Sequence, residues 1–338
     1  MAIDHERVGV RLPQHLAPGD LIAVATPSGP VCTAGRLARG VSALRHLGFD
    51  VIVGPQAYTD DPRKRTPEAR SAELNSFFRD TSIRAVIATI GGYTCNAVLP
   101  HLDYAALGQQ PKIICGYSDI TALLLACHTR AGIVTFHGPT LLPEVAEFPA
   151  MHDYTRSSFL RVIGRAAPAG ALKAARAWTD EFLTWEVDDN RPRLMQPSGG
   201  WVWFGHGCVR GPLVGGNLET ISAMAGTPYM PDFGGAILFL ETASDNPELV
   251  ERSLAHLDMA DAFSGIAAVL FGRPFRTDDS SAGQMSMLLQ RWFPGRGIPL
   301  VTNIDLGHTD PMLTLPIGVN ASLDFAHESL AVIDAAVC

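Results

Sequence analysis

What most narrows the folds open to this chain is the alternation, across its first third, of short apolar runs with amphipathic stretches. Leu21 to Ala25 reads as a strand ending in the turn-rich Thr26-Pro27-Ser28-Gly29-Pro30, and Thr33 to Leu47 carries apolar positions at helical spacing until Gly48 stops it. Asp50 to Val53 is a second strand, Pro67 to Arg79 a second helix, and Ala85 to Ile90 a third strand running into Gly91-Gly92. Lys112 to Cys115 supplies a fourth strand and Ile120 to Thr129 the helix after it. Strand and helix in series predict a parallel sheet covered on both faces.

The rest of the chain follows another pattern. Around Pro149 to Ala175 the alternation weakens into material rich in Ala, Arg and Pro, which divides the chain into an N-terminal domain over 1–150, a linker over 151–177 and a C-terminal domain over 178–338. A chain of 338 residues, 47% apolar and 18% charged, also has the size and composition of a two-domain globular enzyme. The segment Trp178 to Phe204 holds four of the five tryptophans and is expected as an ornate loop. Short strands at Ala236 to Leu240, Ala267 to Phe271 and Leu300 to Thr302, with a helix at Pro247 to Leu257, predict a smaller, mixed sheet.

Several classes of function are set aside by what the chain lacks. A net charge of −8 with dispersed arginines gives no footprint for polymeric nucleic acid, though a single nucleotide stays open. The six cysteines are scattered without a Cys-x-x-Cys pair, so neither a disulfide frame nor a zinc knuckle is expected. Met1 to Asp20 carries Asp4, Glu6, Arg7 and Arg11 without the apolar core of a secretory signal, and no uncharged run is long enough to cross a bilayer. The expectation is a soluble, cytoplasmic protein with no membrane partner.

Chemistry concentrates at three places. In Ile113-Ile114-Cys115-Gly116-Tyr117-Ser118-Asp119-Ile120-Thr121 a buried strand meets a Gly-x-Ser turn and opens into an apolar helix. Such a turn lifts a serine hydroxyl clear of the sheet beside the unpaired N–H groups of a helix start, which makes Ser118 a candidate nucleophile and the Asp119 amide a candidate oxyanion donor. Gly91-Gly92 ends a neighbouring strand and could supply a second donor. A full G-x-S-x-G would have glycine where Ile120 stands, and the local residues fit a Ser118 helix cap equally well. Among eleven histidines, His308 stands out in the turn-rich Asp305-Leu306-Gly307-His308-Thr309-Asp310-Pro311 past a strand end. Glu241 closes the strand Ala236 to Leu240, where a carboxylate can orient an imidazole or simply cap the next helix.

Together these motifs, with Gly215-Gly216-Asn217-Leu218, resemble the LD-carboxypeptidase family of serine peptidases from about Leu16 to Ile333. Trp178-Thr179-Asp180-Glu181-Phe182, Trp185-Glu186 and Gly226-Thr227-Pro228-Tyr229-Met230-Pro231 are more similar to its microcin C immunity branch than to its murein-recycling branch. The resemblance implies an α/β protein: a Rossmann-like parallel-sheet N-terminal domain holding the nucleophile, and a smaller mixed β-rich C-terminal domain supplying Glu and His. It implies a homodimer, and catalysis without metal or organic cofactor. It further implies a Ser118, Glu241, His308 triad, Gly92 and Asp119 as oxyanion-hole amides, and Trp185 as a platform for a nucleobase, with Asn217, Gly91 and Trp178 as further substrate contacts. Several relatives of that branch carry a lysine where this chain has Asp245, which leaves the preferred acyl side chain open.

The expected activity is hydrolysis, through an acyl-enzyme, of the amide or acyl-phosphoramidate bond of a peptidyl or aminoacyl nucleotide of the microcin C type. Removal of D-alanine from murein tetrapeptides is the alternative within the family, and non-catalytic binding of a small ligand the alternative outside it. Trp178, Trp201 and Trp203 fit a lid or dimer contact as well as a binding site. Arg273 reads either as a grip on a substrate carboxylate or phosphate or as an ion-pair partner.

Overall fold

The computed structural model describes residues 10–338, so the first nine residues of the stretch read for a secretory signal, with Asp4, Glu6 and Arg7, lie outside the described residues. Ile22 to Ala25 and Ala85 to Ala88 are buried along their whole length, as strands sandwiched between helices must be. These strands belong to a six-stranded sheet ordered Leu315–Ile317, Thr135–His137, Ile113–Gly116, Ile83–Ala88, Leu21–Ala25, Asp50–Val53. All pairs in it are parallel except the edge strand Leu315–Ile317, which runs antiparallel to Thr135–His137. The helices between are capped as their sequences suggest: Thr66 accepts from the Ala69 amide at 3.2 Å and Pro67 occupies the first turn of Pro67–Arg79.

The order of the five parallel strands reverses between Leu21–Ala25 and Ile83–Ala88, and in open α/β sheets a crevice opens at that point beyond the carboxyl ends of the strands. Thr26 to Pro30, Thr89 to Tyr93 and Tyr117-Ser118 all leave the sheet on that edge.

The second sheet has eight strands, ordered Pro168–Leu172, Ser329–Ala335, Asn320–Asp324, Cys208–Asn217, Ile237–Glu241, Ala268–Gly272, Leu300–Ile304, Val202–Phe204. The four from Cys208–Asn217 to Leu300–Ile304 are parallel neighbours, and antiparallel strands extend them on either side. Only three of these eight were legible as strands. Cys208–Asn217 escaped because Gly211, Pro212, Gly215 and Gly216 read as turn material. Gly215, at φ +154°, has no room for a Cβ, which would run into the Phe239 carbonyl of the neighbouring strand.

Residues 151–177, expected as a linker, contain the helix Asp153–Ile163 and the strand Pro168–Leu172 at the edge of the second sheet. That helix is tied to the return of the chain: Thr155 and Ser158 hydroxyls accept from the amides of Met312 (3.0 Å) and Thr314 (2.9 Å). With Leu315–Ile317 completing the first sheet, the chain crosses between the sheets more than once, and their buried apolar side chains join in one cluster. The carboxyl ends of both parallel sets therefore flank one crevice.

Candidate active site

The strand Ile113–Gly116 is too short and too buried to bend gradually into the helix Thr121–Ala131, so the reversal falls on Tyr117 and Ser118. Ser118 adopts φ +60°, a left-handed conformation that costs an L-residue about 1–2 kcal/mol and persists only where surrounding packing imposes it. Ile120 explains the departure from a second glycine: its side chain is fully buried, and a Cβ on Gly116 would come within 2.8 Å of its Cγ2. The glycine this turn requires is the one before the serine. Among the described residues Ser118 caps neither the short turn it opens nor the helix Thr121–Ala131; its hydroxyl is instead 3.1 Å from Nε2 of His308.

His308 follows the strand Leu300–Ile304, and its Nδ1 lies 2.8 Å from Oε2 of Glu241, the last residue of the strand Ile237–Glu241. Gly307 makes this approach possible: at φ +82°, any Cβ there would overlap the Glu241 carboxylate. Burial alone would push Glu241 up, but the charge and hydrogen bond of His308 outweigh it and hold the carboxyl below its ordinary value. Burial likewise disfavours the His308 imidazolium, yet Glu241 more than compensates and the ring sits above the ordinary histidine value. An edge contact with Tyr117 (5.2 Å) and a tilted one with Phe275 (5.9 Å) hold its plane. Hydroxyl, imidazole and carboxylate thus form one hydrogen-bonded line, although they stand far apart in the sequence.

Beside the hydroxyl lie the two glycines. A Cβ on Gly91 would stand 2.8 Å from Ser118 Oγ and 3.4 Å from the Asp119 amide nitrogen, so bare backbone is what leaves the space over the nucleophile free. Gly92, at φ +150°, is shaped by the loop after the first strand, since a Cβ there would meet Ser28 Oγ at 2.5 Å. Asp119 also buckles the three loops together: its carboxylate accepts from the Ser28 hydroxyl and from the Cys95 amide at 2.8 Å. The Asp119 N–H itself belongs to the first turn of the helical segment, where amides have no partner within the helix.

A cavity of about 1190 Å³ opens over this arrangement and is lined by Ser118, His308, Gly92, Asn217, Arg193 and Trp185, among others. Trp185 is held by the Arg36 guanidinium, 4.6 Å from the ring centroid, and by Phe182 at 6.4 Å. Its loop is fastened to the first domain by Glu186 accepting from the Gly35 amide (2.6 Å) and by Arg36 on Asp189 (2.7 Å). Asn217 pairs in register with Glu241 and caps the next helix by accepting from the Thr220 amide at 3.0 Å.

Trp178 does not join this group. It lies under Arg273, 4.7 Å from the guanidinium, outside the cavity. Arg273 is itself buried and ion-paired with Asp305 at 3.0 Å, which makes it an internal partner rather than a grip on substrate. Trp201 donates to the same Asp305 at 2.9 Å and Trp203 packs on Phe325, so both serve packing around the second sheet. Asp245 is exposed and does not line the cavity.

Sequence reasoning passed over Arg193, Tyr117 and Glu144. Arg193 bridges Asp310 (2.6 Å) and Glu147 (3.0 Å), and the Tyr117 hydroxyl donates to Glu144 at 2.7 Å. Burial and the nearby Asp310 hold Glu144 above the ordinary carboxylate range. No local pattern marks these residues; only Tyr117, adjoining the serine, had a signal to follow. Among the described residues no three His, Cys, Asp or Glu side chains gather as a metal site.

The N-terminal domain profile of the LD-carboxypeptidases matches residues 22–138 and the C-terminal domain profile residues 210–323. Over 327 residues the chain is 33% identical to the microcin C7 self-immunity protein MccF of Escherichia coli, covering 94% of each. A Vibrio cholerae protein named as a carboxypeptidase is 34% identical over 324 residues, covering 94% of this chain and 96% of that one. The structure of MccF in complex with aspartyl sulfamoyl adenosine superposes with a TM-score of 0.89 at 33% identity, covering 97% of this chain and 100% of that one.

Proposed function

Since the chain belongs to the LD-carboxypeptidase family and is a serine hydrolase, we propose that it cleaves the bond joining an aminoacyl or peptidyl group to a nucleotide, as in antibiotics of the microcin C type. The observation that carries this reading is the unbroken line Ser118, His308, Glu241 at the floor of a cavity walled by Trp185. A carboxypeptidase needs the line; the aromatic wall is what a nucleobase would use. Arg36 occupies one side of the indole, and stacking on such a ring contributes about 1–3 kcal/mol per base. That MccF has been solved with aspartyl sulfamoyl adenosine supports the same class of ligand here.

In this mechanism His308 Nε2 takes the Ser118 proton as Oγ attacks the acyl carbonyl, and the imidazolium is stabilised by Glu241. The oxyanion is held by the amides of Gly92 and Asp119, each such donor being worth about 2.7–4 kcal/mol. His308 then gives its proton to the departing nitrogen, the C–N bond breaks, and an acyl-Ser118 ester remains. Water activated by the same imidazole releases the acid and restores the serine.

Incubation with aminoacyl sulfamoyl adenosines should release free amino acid. Ser118→Ala should abolish release, and Trp185→Ala should raise KM about tenfold to a hundredfold. No release from any member of such a panel, together with turnover of murein tetrapeptides that is indifferent to Trp185→Ala, would overturn the reading in favour of cell-wall peptide cleavage.

A further inference from the structure

Glu219 stands in the first turn of the helix Leu218–Met224, on the cavity wall with Asn217 and Ala243. Its Oε1 accepts from the Thr242 hydroxyl, whereas Oε2 is buried and has no hydrogen-bond partner among the described residues. It is close enough to the catalytic line for its charge to help raise His308, and for Glu241 to act on it in turn. Burial first, and then Glu241, hold the Glu219 carboxyl above its ordinary value despite the opposing influence of Thr242, its own backbone and the Asn217 side chain. A buried carboxylate oxygen without a partner is costly, and a charged donor brought by a ligand removes that cost most completely.

The cavity's own cations do not fill this role, because each of the four arginines lining it is bonded elsewhere. Arg36 reaches Asp189 at 2.7 Å, and Arg193 reaches Asp310 at 2.6 Å. Arg65 donates to the carbonyls of Gln56 (2.9 Å) and Ser28 (2.8 Å), and Arg70 to that of Pro27 at 2.6 Å. This stretch of the wall therefore presents a carboxylate oxygen, Glu219 Oε2, to which none of the cavity's arginines is bonded.

The geometry points to Glu219 as a specificity-determining residue that accepts a protonated amine on the acyl half of the substrate, beside the carbonyl that Ser118 attacks; this rests on the aminoacyl-nucleotide reading above. The amine is either the α-ammonium of a free aminoacyl group or an ammonium at the end of its side chain. An acyl group ending in a carboxylate meets like charge at the same place and is disfavoured.

The test compares kcat/KM for alanyl, N-acetylalanyl, lysyl and glutamyl sulfamoyl adenosine. The wild-type protein should favour alanyl over N-acetylalanyl, or lysyl over alanyl, by about tenfold to a hundredfold, the worth of one charge-assisted bond, with glutamyl below alanyl. Glu219→Gln retains an oxygen for the Thr242 hydroxyl, so the fold should melt at nearly the same temperature while that preference collapses. Collapse of the alanyl ratio identifies the α-ammonium, and collapse of the lysyl ratio the side-chain ammonium. A wild-type preference for glutamyl, or an equal loss on every substrate in Glu219→Gln, overturns the inference while leaving the aminoacyl-nucleotide reading intact. Failure of the wild-type protein to cleave any of the four overturns that reading itself, and the inference with it.

Discussion

Glu241→Gln keeps the shape of the side chain and removes the charge that faces His308. Nδ1 and Oε2 are 2.8 Å apart, and charge centres about 4 Å apart at an effective dielectric of about 20 attract by about 4 kcal/mol. The attraction exists only while the imidazole carries the serine proton, so its loss falls on the transition state and lowers kcat by about a thousandfold. The pH profile should change as well. A general base acts unprotonated, so wild-type kcat/KM rises with pH through the raised value of His308. In the variant, burial is opposed only by the more distant Glu144 and Glu219, so the acid limb should move to lower pH even as the plateau falls. The assay is amino-acid release from an aminoacyl sulfamoyl adenosine between about pH 5 and pH 9, the pH range that brackets histidine titration. A variant within about tenfold of wild type, or an acid limb that stays put or moves upward, would refute the coupling of Glu241 to His308.

Three further outcomes follow from the same geometry. Gly91→Ala places a methyl 2.8 Å from Ser118 Oγ and should lower turnover about a hundredfold or more, with stability reduced by about 1–3 kcal/mol; full activity would show that the space over the serine is not used. Ser118→Gly and Ser118→Ala should both be inactive, with the glycine variant more stable by about 1 kcal/mol because only glycine adopts φ +60° without strain; equal chemical denaturation midpoints would remove the strain argument. His137 is fully buried with both ring nitrogens unpartnered among the described residues, and burial pulls its pKa down to about 4. The unfolded chain then takes up a proton below about pH 6.5 that the folded one refuses until about pH 4, so stability falls across that window by about 3 kcal/mol. His137→Phe should flatten the dependence of unfolding free energy on pH there, and an unchanged slope would show that His137 is not its source.

Four strands of the first sheet and the helices between them could be read directly because each is announced within a few residues, by a continuous apolar run, a capping residue or a glycine stop, whereas Thr135–His137 and Leu315–Ile317 are too short to carry such a signal. The Gly-x-Ser turn after Ile113–Cys115 was legible for the same reason. Local composition misled where packing overrides propensity. The strand Cys208–Asn217 looks like turn material, yet its glycines are what let it lie against Phe239 and Thr121. Trp178, a substrate contact only by family resemblance, instead lies under Arg273.

Composition, periodicity and the turn signals by themselves determined an α/β chain with a serine raised on a strand-to-helix elbow, since these properties are written over spans no longer than one element. Which of eleven histidines meets that serine was decided only by the tertiary structure. So were the reach of Glu241 past Gly307 and the return of Leu315–Ile317 to the first sheet. Sequence separations of 190 residues between Ser118 and His308 and 67 between His308 and Glu241 leave no local signal. The packing of two sheets around one core brings such groups together, and burial then sets their charge.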